Sequence, residues 1–153
     1  MTPIIRPART EEYDEVARVW MDSWATVGLE AASEPLLEKL RARVRTEVAN
    51  GWSLYVADDR GTLAAMLAIH RPDHYLDQLF VAPEYQGKGL GRLLLAFTRD
   101  LMPEEIWLRC VRENEKAWRW YEREGFVYER EAVSPMIGHV MKYYRWKKQG
   151  AAH

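Results

Sequence analysis

The chain has 153 residues, 48% apolar and 29% charged, which is the size and balance of one globular domain and excludes a disordered or collagen-like polymer. Twenty-two Lys and Arg against 23 Asp and Glu leave a formal net charge of −1, so bulk charge attracts neither nucleic acid nor an anionic membrane. A single cysteine, Cys110, excludes an internal disulfide and a multi-cysteine zinc site, and no metal site is expected. No apolar run reaches the roughly 18 residues that span a bilayer. Met1 to Pro7 lacks the layout of a secretory signal, so a cytoplasmic protein is expected.

Ile4-Ile5-Arg6 reads as a first strand closed by Pro7. Thr10 is placed to cap a helix whose first turn carries Glu11, Glu12 and Asp14, where the helix dipole favours negative charge. Tyr13, Val16, Ala17, Trp20, Met21 and Trp24 then recur at helical spacing along one apolar stripe, interrupted at Gly28. A second helix starts near Pro35, buries Leu37, Leu40, Val44 and Val48, and ends at Asn50-Gly51. Trp52 to Ala57 reads as a strand, Asp58-Asp59-Arg60-Gly61 as a hairpin turn, and Thr62 to Ile69 as the partner strand. After a connection at His70 to Asp73 comes a β-type run, Tyr75 to Val81.

Leu90, Leu94, Phe97 and Leu101 keep helical spacing until Pro103 stops it. Ile106 to Val111 has too few polar positions to face water, which predicts a central strand. Asn114 is placed to cap a helix running through Glu124, with Gly125 as its stop. Val127 to Val133 and Met141 to Trp146 are expected as closing strands. The order of elements is a mixed α/β layout in one domain, residues 1–147, with a disordered tail at 148–153.

The segment Gln86-Gly87-Lys88-Gly89-Leu90-Gly91-Arg92 lies between a strand and an amphipathic helix. Its alternating glycines remove side chains where backbone N–H groups can converge on an anion, and the helix adds its free N-terminal donors. Lys88 and Arg92 supply positive charge, and diphosphate is the anion that suits such a loop. A Walker loop needs Ser or Thr directly after Gly-Lys, and Lys88 is followed by Gly89. A dinucleotide fingerprint needs its third glycine one residue later than Gly91. The plain alternative is a glycine-rich turn without a ligand.

Leu79-Phe80-Val81-Ala82-Pro83-Glu84-Tyr85 followed by this loop closely resembles the acetyl-CoA-binding motif of the GNAT N-acetyltransferase superfamily, with Gln86, Gly89 and Gly91 at its defining positions. Asn114-Glu115-Lys116-Ala117-Trp118-Arg119-Trp120-Tyr121 through Phe126 resembles the family's second motif. The resemblance implies a single-domain GNAT-like α/β fold. Its mixed, mostly antiparallel sheet would be flanked by helices and would splay a parallel strand pair at the cofactor cleft. It implies transfer of acetyl from acetyl-CoA to a small-molecule or peptide amine, by direct attack in a ternary complex, with a homodimer possible. A non-catalytic acyl-CoA sensor and an ATP- or NAD-binding protein are the rival readings.

By the same resemblance, the backbone of Leu79, Phe80 and Val81 pairs with the pantetheine arm. Gln86, Gly87, Lys88, Gly89, Leu90, Gly91 and Arg92 hold the pyrophosphate, and Asn114 bonds the pantetheine or orders its own junction. Asn114, Ala117 and Tyr121 share a helix face, and Tyr121 is the family's usual general acid, protonating the departing thiolate. For the base, Asp77 is the first candidate, on the same strand face as Tyr75, Leu79 and Val81 by alternation. His74, Glu30 and His139 are weaker alternatives. The oxyanion donor is expected from the N–H groups of the Phe80–Val81 region. Trp20, Trp24, the Gly28 to Glu34 bend, Tyr143 and Tyr144 are expected walls of the acceptor pocket. Relatives that acetylate protein N-termini often carry Glu where this chain has Arg109. Cys110 reads as packing.

Overall fold

A computed structural model describes residues 2–135 and 138–149. In chain order the elements are β1 (Ile4–Pro7), α1 (Tyr13–Ala25), α2 (Glu34–Ala49), β2 (Ser53–Asp59), β3 (Thr62–His70), β4 (Tyr75–Val81), α3 (Leu90–Leu101), β5 (Glu105–Val111), α4 (Glu115–Arg123), β6 (Val127–Val133) and β7 (Val140–Lys147). Every expected helix and strand is present in the expected order. Residues 150–153 of the expected tail lie outside the described residues, while the Lys148 amide is held by the Glu104 carbonyl at 3.0 Å.

The seven strands form one sheet in the order β1-β2-β3-β4-β5-β7-β6. Every neighbouring pair is antiparallel except β4–β5, which is parallel and meets only at Tyr75 opposite Trp107. That single rung is the splayed pair the resemblance implies. The middle of the sheet is packed on both faces, whereas β6 at its edge is almost wholly exposed. On one face, α1 and α2 bring Val16, Trp20, Leu37, Leu40 and Val44 against Val56, Met66 and Ala68. On the other, Leu94 and Leu95 of α3 and Tyr121 of α4 close over Leu67, Ile69, Leu76, Ile106 and Leu108. A fully buried aliphatic side chain of this kind contributes about 1.5–3 kcal/mol. No helix among the described residues is long and apolar enough to cross a membrane.

Two local readings are corrected. Thr10 does not cap α1: a 3-10 turn over Thr10–Glu12 precedes the helix. The Glu12 carboxylate accepts from the Arg9 amide at 2.8 Å and from the Arg6 guanidinium at 2.9 and 2.7 Å. A carboxylate that meets an arginine outcompetes a hydroxyl as an acceptor. Trp52 lies before β2 rather than in it, buried against Trp20 with ring centroids 5.7 Å apart.

A β-bulge sets the orientation of Asp77. Ala68 faces Gln78 and Ile69 faces Leu76, so Asp77 is the extra residue in β4. A bulge breaks strict alternation. Leu76, Leu79 and Val81 therefore pack on the α3/α4 side, while Tyr75 and Asp77 turn to the other. The expectation that Asp77 shares a face with Leu79 and Val81 is wrong; its pairing with Tyr75 holds.

Candidate active site

Where β4 and β5 part, a cleft of about 960 Å³ opens. Its walls are β4, β5, the loop 86–92 and α4 on one side, and α1 and α2 on the other. The Ala82 amide donates to the Ala64 carbonyl at 2.8 Å, so by alternation Phe80 also turns its main chain to β3. Leu79 and Val81 turn theirs to the open wedge. The Val81 carbonyl there is already used, accepting from Ser23 Oγ at 2.6 Å and Gln86 Nε2 at 3.0 Å. The Leu79 amide and carbonyl and the Val81 amide are left facing the gap.

The loop enters α3 through Gly87 and Gly89, with φ of +77° and +84°. A Cβ at either would meet nothing within 4 Å, so the space above the loop is open. Among the described residues, none of the amides of Gly87, Lys88, Gly89, Leu90, Gly91 and Arg92 has a hydrogen-bond acceptor. They lie at the positive end of a 12-residue helix, and all but Lys88 belong to residues that line the cleft. Gly91 serves packing instead, because a Cβ there would touch the Trp120 ring at 3.4 Å. Of the two cations, Arg92 is bound to Glu124 at 3.2 Å, and Lys88 lies over the Tyr85 ring, 5.6 Å from its centroid, without lining the cleft.

Asn114, Ala117 and Tyr121 all line the cleft from α4. Asn114 stands at the helix start but its side chain makes no capping bond; its carbonyl accepts from Ala117 and Trp118. The side-chain amide of Asn114 is thus left to the cleft. Tyr121 is buried between Trp120 and Phe126, with centroids 5.0 and 5.4 Å away. Burial pushes its hydroxyl well above the usual tyrosine range, with Cys110 adding to the shift. Cys110 itself is pushed up to about 12 by burial, against a smaller opposing effect of Lys142. A thiol so raised is protonated at neutral pH and is not a nucleophile.

At the other end of the cleft, the Asp77 carboxylate accepts from Trp52 Nε1 at 2.8 Å, Gln78 Nε2 at 3.1 Å and the Tyr75 hydroxyl at 3.4 Å. His70 Nε2 lies 3.8 Å away. Arg109, half-buried on β5, donates to the Tyr75 hydroxyl at 3.1 Å and to the Tyr143 hydroxyl at 3.4 Å. That contact holds the Tyr143 hydroxyl below its ordinary range. Tyr75 and Trp107 stack at 4.0 Å across the single β4–β5 rung.

Trp20, Trp24, Leu29, Glu30 and His139 line the same cleft, and Glu30 accepts from Trp24 Nε1 at 3.2 Å. Two expected walls do not. Tyr143 lies behind Arg109, and Tyr144 is fully buried, its hydroxyl on Glu122 at 2.6 Å. His74 is also absent from the lining. Ser23 escaped the sequence reading, although its signal was present. It is a polar residue on the apolar stripe of α1, three positions after Trp20, and such a residue buried needs a partner.

Residues 13–126 match the Acetyltransferase (GNAT) family. The chain belongs to that family. A "Probable N-acetyltransferase" of Mycobacterium tuberculosis is 29% identical over 136 residues, 80% of this chain and 78% of that one. The peptidyl-lysine N-acetyltransferase YjaB of Escherichia coli is 25% identical over 122 residues, 80% of each chain. Its apo solution structure superposes with a TM-score of 0.78 over 97% of this chain and 99% of that one. PaiA N-acetyltransferase from Thermoplasma acidophilum, solved in complex with coenzyme A, superposes with a TM-score of 0.73 at 21% identity, over 96% of this chain and 99% of the other. These likenesses give this GNAT member its fold; its chemistry rests on its own residues.

Proposed function

We propose that this GNAT protein moves an acetyl group from acetyl-CoA to an amine by direct attack within a ternary complex. The run of amides without acceptors from Gly87 to Arg92 carries the reading, because such a run at a helix start suits a phosphate-type anion such as the diphosphate of coenzyme A. The coenzyme A complex of the similar PaiA fold supports the same cofactor. Leu79 and Val81 would pair with the pantetheine arm through their wedge-facing groups. Phe80, whose main chain turns to β3, would contribute only its side chain. Asn114 would hydrogen-bond the arm from the opposite wall.

The amine lone pair attacks the acetyl carbonyl carbon; a C–N bond forms and the C–S bond breaks. Tyr121 gives its proton to the departing sulfur. Burial raises the proton affinity of that hydroxyl, so it is protonated at neutral pH; it can donate because the same buried surroundings also disfavour a free thiolate on the departing sulfur. Asp77 takes the proton the amine loses, directly or through water. An N–H of Leu79 or Val81 aimed at the carbonyl oxygen would supply about 3 kcal/mol of transition-state stabilisation.

Thermal shift with acetyl-CoA, ATP and NAD tests the cofactor, since a ligand that binds only the native state raises its stability. Acetyl-CoA alone is expected to stabilise the protein. Thiol release across amine classes tests the chemistry. Binding of acetyl-CoA with no release from any amine would make the protein a sensor rather than an enzyme.

A further inference from the structure

Arg145 and Arg109 are half-buried on the same sheet face, on neighbouring strands. Arg145 is held by Glu105 at 3.1 Å and Glu129 at 2.9 Å. No carboxylate among the described residues lies within 4 Å of Arg109. Its described partners are two neutral hydroxyls, which solvate the guanidinium without balancing its charge. Its Nη2 amine makes no hydrogen bond to any described residue, and the side chain borders the cleft. A half-buried cation with spare planar donors at a cleft wall is built to receive an anion, and a carboxylate matches that fork.

The position of Asp77 narrows the choice. The Tyr75 hydroxyl accepts from Arg109 and donates to Asp77, so the cation and the carboxylate stand one hydroxyl apart without pairing directly. An anion-receiving and an amine-receiving group at that separation suit a small molecule whose amine and carboxylate share one carbon. We propose that the acetyl acceptor is a free α-amino acid, its carboxylate received by Arg109 and its amine facing Asp77. The remaining charges agree. Lys39 and Arg43, the latter paired with Glu47 at 3.6 Å, line the cleft with Glu30, so together with Arg109 they offset the two carboxylates and a polycation gains little net attraction there. Trp20, Trp24, Leu36 and Leu40 leave an apolar wall for the amino acid's side chain.

This assignment rests on the acetyl-transfer reading, and the test separates the two. Thiol release from acetyl-CoA is measured with L-amino acids, the matching amino acid amides, the matching decarboxylated amines, β- and γ-amino acids, and spermidine. The α-amino acids are expected to exceed their amides by about 100-fold in kcat/KM, because the amide leaves the guanidinium unpaired. Arg109→Gln should erase that ratio by raising KM for the acids, with acetyl-CoA affinity unchanged; Arg109→Lys should retain part of it. Amides, decarboxylated amines, β- or γ-amino acids or spermidine turning over as well as the α-amino acids would overturn the assignment while leaving acetyl transfer standing. So would an Arg109→Gln enzyme that keeps the acid-to-amide ratio. Silence of the whole panel with acetyl-CoA bound overturns both.

Discussion

Trp52 Nε1 donates to Asp77 Oδ2 at 2.8 Å, joining the residue before β2 to the bulged residue of β4. The bond fixes the carboxylate at the cleft wall, and its donor is itself buried against Trp20. Trp52→Phe keeps most of the ring packing but removes one of the three hydrogen bonds to the carboxylate. A hydrogen bond to a charged group is worth about 1.5–3 kcal/mol, and that loss is expected in urea denaturation. Asp77→Asn keeps an oxygen acceptor for Trp52 and removes only the proton-accepting role. It should lower kcat by about 100-fold or more, without weakening acetyl-CoA binding by titration calorimetry. An unaffected kcat would remove Asp77 from the reaction.

Tyr121→Phe isolates the acid. The ring contacts with Trp120 and Phe126 survive the change, so thermal stability is expected to move little. Stopped-flow thiol release should slow by about 10²–10⁴-fold. Wild-type rate on the alkaline side should show no fall from Tyr121 near pH 10, since burial holds its hydroxyl above the ordinary value. A fall there that disappears in Tyr121→Phe would contradict the raised affinity.

Gly89→Ala addresses the loop. At φ +84° an L side chain costs about 1–2 kcal/mol, and its methyl would project into the open space above the amides. Acetyl-CoA affinity is expected to fall at least about tenfold, measured by calorimetry, with a small loss of melting temperature. Unchanged affinity would mean that the diphosphate binds elsewhere.

Glu12 should dominate acid sensitivity near the N-terminus. The Arg6 guanidinium holds its carboxyl down to about 2, against an ordinary value of 4.5. A depressed carboxyl stabilises the fold fully above the unfolded value and loses that contribution as pH falls toward the folded one. The stability gap between wild type and Glu12→Gln, about 1–3 kcal/mol at pH 7, should therefore shrink steadily below pH 4.5. A gap independent of pH would show that packing rather than charge is responsible.

The sequence by itself determined the periodic elements, the glycine loop and the Asn114–Tyr121 helix face. Each depends on chain neighbours: spacing, breakers and donors that lie within a turn or two. Local rules failed where a distant group competed. Thr10 lost the cap because Arg6 and Glu12 meet across the turn, and Asp77 changed face because β3 and β4 are out of step by one residue. Nothing in residue order says that Trp52 donates to Asp77, that Ser23 braces Val81, or that Tyr75 stands between Asp77 and Arg109. Those contacts join residues 25, 58 and 34 positions apart. Only strand pairing and the packing of α1 on the sheet bring them together, because hydrogen bonds act over about 3 Å of space and are blind to separation along the chain.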